Sequence, residues 1–134
     1  MKSEIGLYIH IPFCKSKCHY CDFTSFAGKE EQIENYIKAL KKEISEVNLE
    51  KYSIKTIYIG GGTPSILNEK QIKELLSEIT INQEPKEITI ELNPGTVTKQ
   101  KLQTYKEIGI TRLSIGLQST HNQLLKQLRK NTYL

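Results

Sequence analysis

Three cysteines, Cys14, Cys18 and Cys21, lie in one short segment and are the only cysteines in the chain. Three thiols cannot all pair as disulfides, and as thiolates they leave a four-coordinate site one ligand short. A cubane iron–sulfur cluster is usually held by four cysteines, so three predict an iron with one position open to a substrate or cofactor. The alternative is a structural zinc site with His10 or His19 as the fourth ligand. The spacing by itself leaves both open.

Other residues suited to chemistry follow strand-like segments further along the chain. Residues 60–64 read Gly-Gly-Gly-Thr-Pro and predict a loop whose backbone approaches a ligand closely. Glu91 lies at the end of the next apolar segment, and Gln118 ends the one after it. If these segments are parallel strands, the cysteines and these residues meet at the carboxyl ends of the strands, where barrel enzymes build their active sites.

The elements that must position these residues alternate between strand and helix patterns. Strand-like segments span residues 5–11, 54–59, 88–92 and 113–118, with helical patterns between them. This order predicts a parallel α/β architecture with right-handed crossovers. Within each segment apolar residues alternate with small or polar ones, unlike parallel strands that are buried on both faces. We therefore expect one face to pack on helices and the other to line a polar cavity.

Helix boundaries are predicted from caps and apolar spacing. Residues 30–49 carry one apolar stripe, and a second helix begins after Asn68, a good N-cap. A third helix begins near Thr98 and ends at Gly109, and a fourth begins at Thr120.

Composition excludes several classes of function. The net charge of +4 comes from lysines dispersed along helical stretches, so the chain is not expected to bind nucleic acid. The sequence holds no apolar run of the ~18 residues that a membrane span requires, and its N-terminus does not have the pattern of a signal peptide. The chain is therefore expected in the cytoplasm, where thiols stay reduced.

Four motifs together resemble the radical S-adenosylmethionine (SAM) proteins. They are residues 8–23, which include the three cysteines, residues 60–64, residues 91–94 (Glu-Leu-Asn-Pro) and residues 112–118 (Arg-Leu-Ser-Ile-Gly-Leu-Gln). Within that group the chain resembles the oxygen-independent coproporphyrinogen III oxidase-like family. The resemblance implies that residues 1–134 are the N-terminal portion of a core domain. Their four βα units would form roughly the first half to two-thirds of a partial TIM-type barrel.

The resemblance also implies the cofactors and their ligands. A [4Fe–4S] cluster would be bound by Cys14, Cys18 and Cys21, with SAM chelating the open iron. The residues implied to contact SAM are Tyr8, Tyr20, Gly61, Gly62, Thr63, Glu91 and Gln118, of which Tyr20 would flank the adenine. Reductive cleavage of SAM would then yield a deoxyadenosyl radical.

Phe23 separates two branches of the family. The oxidase branch carries a fourth cysteine two residues after the third, where this chain has Phe23. The sequence therefore resembles the heme chaperone branch, which delivers heme to respiratory enzymes; coproporphyrinogen III oxidase is the alternative. Implied partners are heme or porphyrin, an electron donor such as flavodoxin or ferredoxin, and, transiently, membrane-bound heme acceptors. His10 and His19 are candidate heme ligands by residue type alone.

Two features depart from the family pattern. The family shows Gly-Arg where this chain has Arg129 and Lys130, and the arginine is implied to reach SAM. Lys130 lacks the planar fork of a guanidinium, so it is not included among the site residues. The family also continues through further βα units, so we expect residues 1–134 to be a fragment, marginally stable and inactive alone.

Overall fold

The structure is a computed structural model that describes residues 1–80 and 83–128. Within these residues, four parallel strands form one sheet in the order β1 (Ser3–Ile11), β4 (Tyr52–Gly61), β5 (Glu87–Leu92) and β6 (Arg112–Ile115). Each strand is followed by a helix, as the sequence predicts: α1 (Ile33–Glu46), α2 (Glu69–Thr80), α3 (Lys99–Glu107) and α4 (Asn122–Gln127). None of the described helices is long and apolar enough to cross a membrane.

The apolar face of β1, β4 and β5 forms the core. Ile11, Ile59 and Ile90 are fully buried on neighbouring strands, because alternate residues of a strand point to the same face. The helices cover this face with a set of buried aliphatic side chains: Ile33, Ile37, Ile72, Leu75, Leu76 and Ile79. The predicted parallel α/β class and the helix-facing sides of these strands are therefore confirmed.

Helix starts are set by side-chain caps at two of the predicted positions. Asn68 Oδ1 accepts a hydrogen bond from the Gln71 N–H at 2.8 Å, and Gln71 Oε1 accepts one from the Asn68 N–H at 2.9 Å. This reciprocal pair is a capping box. Thr98 Oγ1 accepts from the Lys101 N–H at 3.1 Å, and α3 ends before Gly109, whose φ of +89° suits the position after a helix.

The fourth βα unit differs from the prediction. β6 ends at Ile115, three residues early, and α4 begins at Asn122, two residues after the predicted start at Thr120. Ser119 Oγ accepts from the His121 N–H at 3.0 Å, which holds the chain in a turn where the helix was expected.

The helix-facing side of β6 also differs from the prediction, because it is not buried. Leu113 is 39% exposed and Ile115 is 57% exposed. The C-terminal end of α4 contacts the cysteine segment, because the His19 N–H donates a hydrogen bond to the Leu128 carbonyl at 3.2 Å.

A short second sheet holds the cysteine segment. β2 (Phe13–Cys14) pairs in parallel with β3 (Phe26–Ala27), and the Phe26 N–H donates to the Pro12 carbonyl at 2.7 Å. These backbone hydrogen bonds join the two ends of the loop that contains Cys18 and Cys21. The sequence analysis did not predict β2 and β3, because a strand of two residues is too short to show an alternating pattern.

Candidate functional site

The cysteine loop emerges from the carboxyl end of β1 and contributes three free thiols to one place. Cys14, in β2, is buried, whereas Cys18 and Cys21 are partly exposed. The Cys21 N–H donates to the Cys18 carbonyl at 3.1 Å, which makes a tight turn between the last two cysteines. Reduced, unpaired thiols at the carboxyl end of β1 are available as metal ligands.

The glycine loop after β4 is packed directly against the cysteine segment. The Gly62 N–H donates to the Ile11 carbonyl at 2.9 Å, and the Thr63 N–H donates to the Phe13 carbonyl at 2.8 Å. A Cβ atom on Gly62 would lie 2.7 Å from the Phe13 carbonyl oxygen and 2.9 Å from Cys14 Sγ. The missing side chain is therefore what allows the two loops to touch.

Glu91, at the end of β5, is fixed through both carboxylate oxygens. The Tyr58 hydroxyl donates to Oε1 at 2.7 Å, and the Gly61 N–H donates to Oε2 at 3.1 Å. The hydrogen bond to Glu91, together with partial burial and the carboxylate charge, raises the pKa of Tyr58 above its usual value. The carboxyl group of Glu91 is thus held in one orientation at the glycine loop.

These loops surround a cavity of about 340 Å³. Of the ten residues that the sequence predicts as ligands or contacts, nine line this cavity: Cys14, Cys18, Cys21, Tyr20, Gly61, Gly62, Thr63, Glu91 and Gln118. Ser114 and Gly116 complete its wall on the side of β6, so the predicted polar inner face is present at the third and fourth strands. Phe23 also lines the cavity and is 70% exposed at its rim.

Tyr8 is the predicted contact that does not line the cavity. Its ring stacks on Tyr58 at a centroid distance of 6.1 Å, and its hydroxyl bonds to His10 Nδ1 at 2.8 Å. His10 Nε2 in turn donates to the Thr24 carbonyl at 2.9 Å, since a carbonyl only accepts. Tyr8 and His10 therefore tie β1 to the end of the cysteine loop. Both ring nitrogens of His10 are engaged in these bonds.

Two residues that line the cavity have unusual properties: Tyr20 in its pKa and Gln118 in its backbone conformation. Burial raises the pKa of Tyr20 to about 12, together with the neighbouring Cys18 and Cys21 side chains and a hydrogen bond to Cys18, so its phenol is neutral at neutral pH. Gln118 has a φ of +69°, a left-handed conformation that is uncommon for residues other than glycine. Such outliers concentrate at functional sites.

A hydrogen-bond network that begins in the wall of the cavity contains residues that the sequence analysis did not single out. The Thr63 hydroxyl donates to Cys14 Sγ at 3.3 Å, and Asn93 Nδ2 donates to Thr63 Oγ1 at 3.3 Å. Behind them, Lys101 Nζ donates to the Ser65 carbonyl at 2.8 Å. Asn93 belongs to the motif at residues 91–94, which was the only signal for it in the sequence.

The donor set fits a cluster better than a single ion. No group of three or more His, Cys, Asp or Glu side chains in residues 1–80 and 83–128 is arranged to hold one metal ion. Zinc bound to sulfur needs its ligands gathered at about 2.3 Å from one point, whereas a cubane gives each thiolate its own iron. Cys14, Cys18 and Cys21 line one cavity and so offer the three thiols that a cubane with one open iron requires. His10 is also committed to Tyr8 and Thr24, so the zinc alternative lacks that ligand.

Comparison with known proteins agrees with this arrangement. Residues 8–133 match the model of the radical SAM superfamily. The chain is 43% identical to the heme chaperone HemW of Buchnera aphidicola subsp. Schizaphis graminum, covering 94% of this chain and 35% of that protein. It is 39% identical to heme chaperone HemW of Bacillus subtilis, covering 90% of this chain and 34% of that protein.

The fold resembles that of coproporphyrinogen III oxidase (HemN) from Escherichia coli, described as a radical SAM enzyme, with a TM-score of 0.87 and 27% identity. The match covers 98% of this chain and 32% of that one. The chain thus spans about a third of the length of the relatives it matches. Lys130 lies outside the described residues, so the structure does not bear on its relation to SAM.

Proposed function

The chain belongs to the radical SAM superfamily, and we propose that it forms the N-terminal, cluster-binding portion of the core domain of a heme chaperone. Membership of the family implies a [4Fe–4S] cluster and SAM. The observation that carries the proposal is the meeting of three free thiols, the glycine loop, Glu91 and Gln118 around one cavity. This portion is proposed to span residues 1–134.

Each of the ten residues implied as ligands or contacts has a proposed role. Cys14, Cys18 and Cys21 would hold the cluster through their thiolates, and the iron without a cysteine ligand would be available to SAM. When bound, the cluster supplies the electron that cleaves SAM reductively. The remaining proposed SAM contacts are Tyr8, Tyr20, Gly61, Gly62, Thr63, Glu91 and Gln118. Glu91 is held rigidly at the glycine loop, where its charge can bind an ammonium group, and Tyr20 presents a neutral ring to the adenine.

Phe23 favours a heme chaperone over a coproporphyrinogen III oxidase. The side chain stands at the rim of the cavity where the oxidase branch has a fourth cysteine. The relatives at 43% and 39% identity are named heme chaperones, whereas the oxidase structure is 27% identical. The oxidase is the second candidate, supported by the close match of folds.

The proposed partners follow from this role. They are SAM, heme or porphyrin, a one-electron donor such as flavodoxin or ferredoxin, and membrane-bound proteins that receive heme. Such a site needs reduced thiols, so we propose that the protein works in the cytoplasm.

Anaerobic reconstitution with iron and sulfide tests the cluster. We expect broad charge-transfer absorption and, after reduction, an EPR signal that changes when SAM is added. The triple variant C14S/C18S/C21S is expected to show neither. A colourless chain that binds one zinc and gives no such spectrum would refute the proposal.

A second experiment separates the two candidate functions. The longer protein that contains this chain is supplied with heme and, separately, with coproporphyrinogen III under anaerobic conditions with SAM and a reductant. Stable heme binding with no porphyrinogen conversion is expected. Conversion of coproporphyrinogen III would assign the oxidase activity instead.

A further inference from the structure

The Thr63 hydroxyl contacts one of the three thiols directly and is fixed in orientation. Thr63 is 4% exposed and Cys14 is 7% exposed, so their hydrogen bond of 3.3 Å is shielded from water. The Asn93 side-chain amide donates to the hydroxyl oxygen at 3.3 Å. Because that oxygen already accepts a hydrogen bond, the single hydroxyl proton is directed at the Cys14 sulfur.

Asn93 is itself held by its backbone. The Asn93 N–H donates to Ser65 Oγ at 3.3 Å, and the Thr96 hydroxyl donates to the Asn93 carbonyl at 2.8 Å. Ser65 Oγ also bonds to Thr96 Oγ1, which closes a ring of three residues. Lys101 Nζ donates to the carbonyls of Ser65 and Thr96 at 2.8 and 3.3 Å. The amide that orients Thr63 is therefore anchored on two loops at the rim of the sheet.

A hydrogen bond to a cysteine ligand changes the electronic properties of an iron–sulfur cluster. Donation to the sulfur offsets the negative charge that the cluster gains on reduction, so the bond stabilises the reduced form more than the oxidised form. The low dielectric around a buried sulfur strengthens the effect. Of the three cysteines, Cys14 is the buried one, and it is the one that receives the Thr63 hydroxyl.

We propose that Thr63 is a positioning residue whose hydroxyl, oriented by Asn93, donates to Cys14 Sγ and raises the reduction potential of the cluster. This inference rests on the proposed function, because it requires a cluster at the three cysteines. It assigns to the Thr63 side chain an action on the cluster ligand, in addition to the contact with SAM proposed for this residue.

The test compares two substitutions at one position. Thr63→Val keeps the size and branching of the side chain and removes the hydroxyl, whereas Thr63→Ser keeps the hydroxyl. Both leave the backbone bond to the Phe13 carbonyl available. In EPR-monitored redox titrations of the reconstituted protein, we expect the potential of T63V to move in the negative direction. The ratio of reduced to oxidised cluster at a fixed potential should fall roughly 2- to 12-fold, the range of one ordinary hydrogen bond. T63S should stay close to the unaltered protein.

Asn93→Ala tests the orienting step. We expect a shift in the same direction as T63V but smaller, because the hydroxyl remains and is free to rotate. In the double variant T63V/N93A the second substitution should add nothing, since Asn93 acts through the hydroxyl. A merely structural role of Asn93 would give additive shifts. Iron content and circular dichroism of each variant show whether folding is retained.

The outcomes separate this inference from the proposed function. If the unaltered protein holds no cluster, the proposed function fails and this inference fails with it. If T63V holds a complete cluster with an unchanged potential, this inference is overturned and the proposed function stands. A shift in T63S as large as that in T63V would also overturn it, because the hydroxyl would then not be the cause.

Discussion

At the scale of single residues, the candidate site is organised by hydrogen bonds that exist before any ligand binds. Glu91 illustrates this, because both of its oxygens are engaged, one by the Tyr58 hydroxyl and one by the Gly61 N–H. Cys14 is similarly engaged by Thr63. Side chains held in this way lose little conformational freedom when a ligand arrives, which favours binding.

Removal of the Tyr58 hydroxyl should give a pH-dependent loss of stability. The pKa of Tyr58 is raised in the folded chain, so the neutral phenol stabilises the fold below the unfolded pKa of about 10. That contribution disappears as the pH rises through the folded-state pKa. We expect Tyr58→Phe to lower the free energy of unfolding in urea at neutral pH, and this effect to shrink progressively as the pH rises from ~10 through the folded-state pKa. Tyr52→Phe, on the same strand, is the control, and an equal difference at every pH would contradict the prediction.

Substitution of Gly62 should disturb the junction of the two loops. In Gly62→Ala the new Cβ would meet the Phe13 carbonyl oxygen at 2.7 Å, and a backbone atom cannot move aside cheaply. We expect a loss of about 1–3 kcal/mol in the free energy of unfolding and a several-fold loss of bound iron after reconstitution.

Gly28→Ala is the matched control for Gly62→Ala. Gly28 has a φ of +66° and nothing within 4 Å of an added Cβ, so the substitution introduces backbone strain without a clash. It should cost about 1 kcal/mol and leave iron binding intact. Full iron binding by Gly62→Ala would show that the close approach of the loops does not matter.

At the scale of elements, local caps decide where the helices begin and so where the loops end. α2 begins with the reciprocal bonds of Asn68 and Gln71, and α3 begins with Thr98. α4 has no side-chain cap, and its start is shifted from Thr120 to Asn122. α1 also lacks a side-chain cap yet packs on the sheet through Ile33 and Ile37, so the caps set where α2 and α3 begin rather than which helices cover the sheet.

The caps predict different costs for two alanine substitutions. Asn68→Ala removes the acceptor for the Gln71 N–H and should lower the free energy of unfolding by about 1 kcal/mol. Thr120→Ala removes a hydroxyl that caps no helix and should change it by less than about 0.5 kcal/mol. Urea denaturation followed by circular dichroism measures both. Equal losses would show that the capping box does not stabilise α2.

At the scale of the whole molecule, the apolar face of the sheet is buried at β1, β4 and β5 and exposed at β6. β1, β4 and β5 are backed by buried side chains, while Leu113 and Ile115 of β6 remain 39% and 57% exposed. Exposed apolar residues on a strand at the edge of a sheet promote association with other chains. This surface supports the expectation that the chain of 134 residues is marginally stable alone.

Exposure of β6 predicts self-association of the isolated chain. Leu113→Lys should reduce the concentration-dependent association seen by sedimentation velocity, because a charge on an edge strand opposes pairing. Leu102→Lys is the control, since Leu102 is 40% exposed but lies on a helix rather than on the open strand. Equal effects of the two substitutions would indicate that general charge, rather than this strand, governs association.

Much of the fold and most of the candidate site followed from the sequence alone. Alternating apolar residues identified the four strands, and local caps identified the start of α2 and α3, because both signals act over a few neighbouring residues. The cysteine spacing and the three glycines predicted a site at the carboxyl ends of the strands. Of the ten residues that the resemblance to radical SAM proteins implies as ligands or contacts, nine line one cavity.

Only the tertiary structure decided which atoms meet across loops that are far apart in the chain. Tyr8 bonds to His10 rather than lining the cavity, Thr63 bonds to Cys14, and Asn93 orients Thr63. The start of α4 was likewise not predicted, because it depends on the hydrogen bond between Ser119 and His121, and the exposure of Leu113 and Ile115 on β6 was not predicted either. Periodicity reports which face of a strand a residue occupies. Hydrogen-bond partners depend on distances between elements, which the folded chain alone sets.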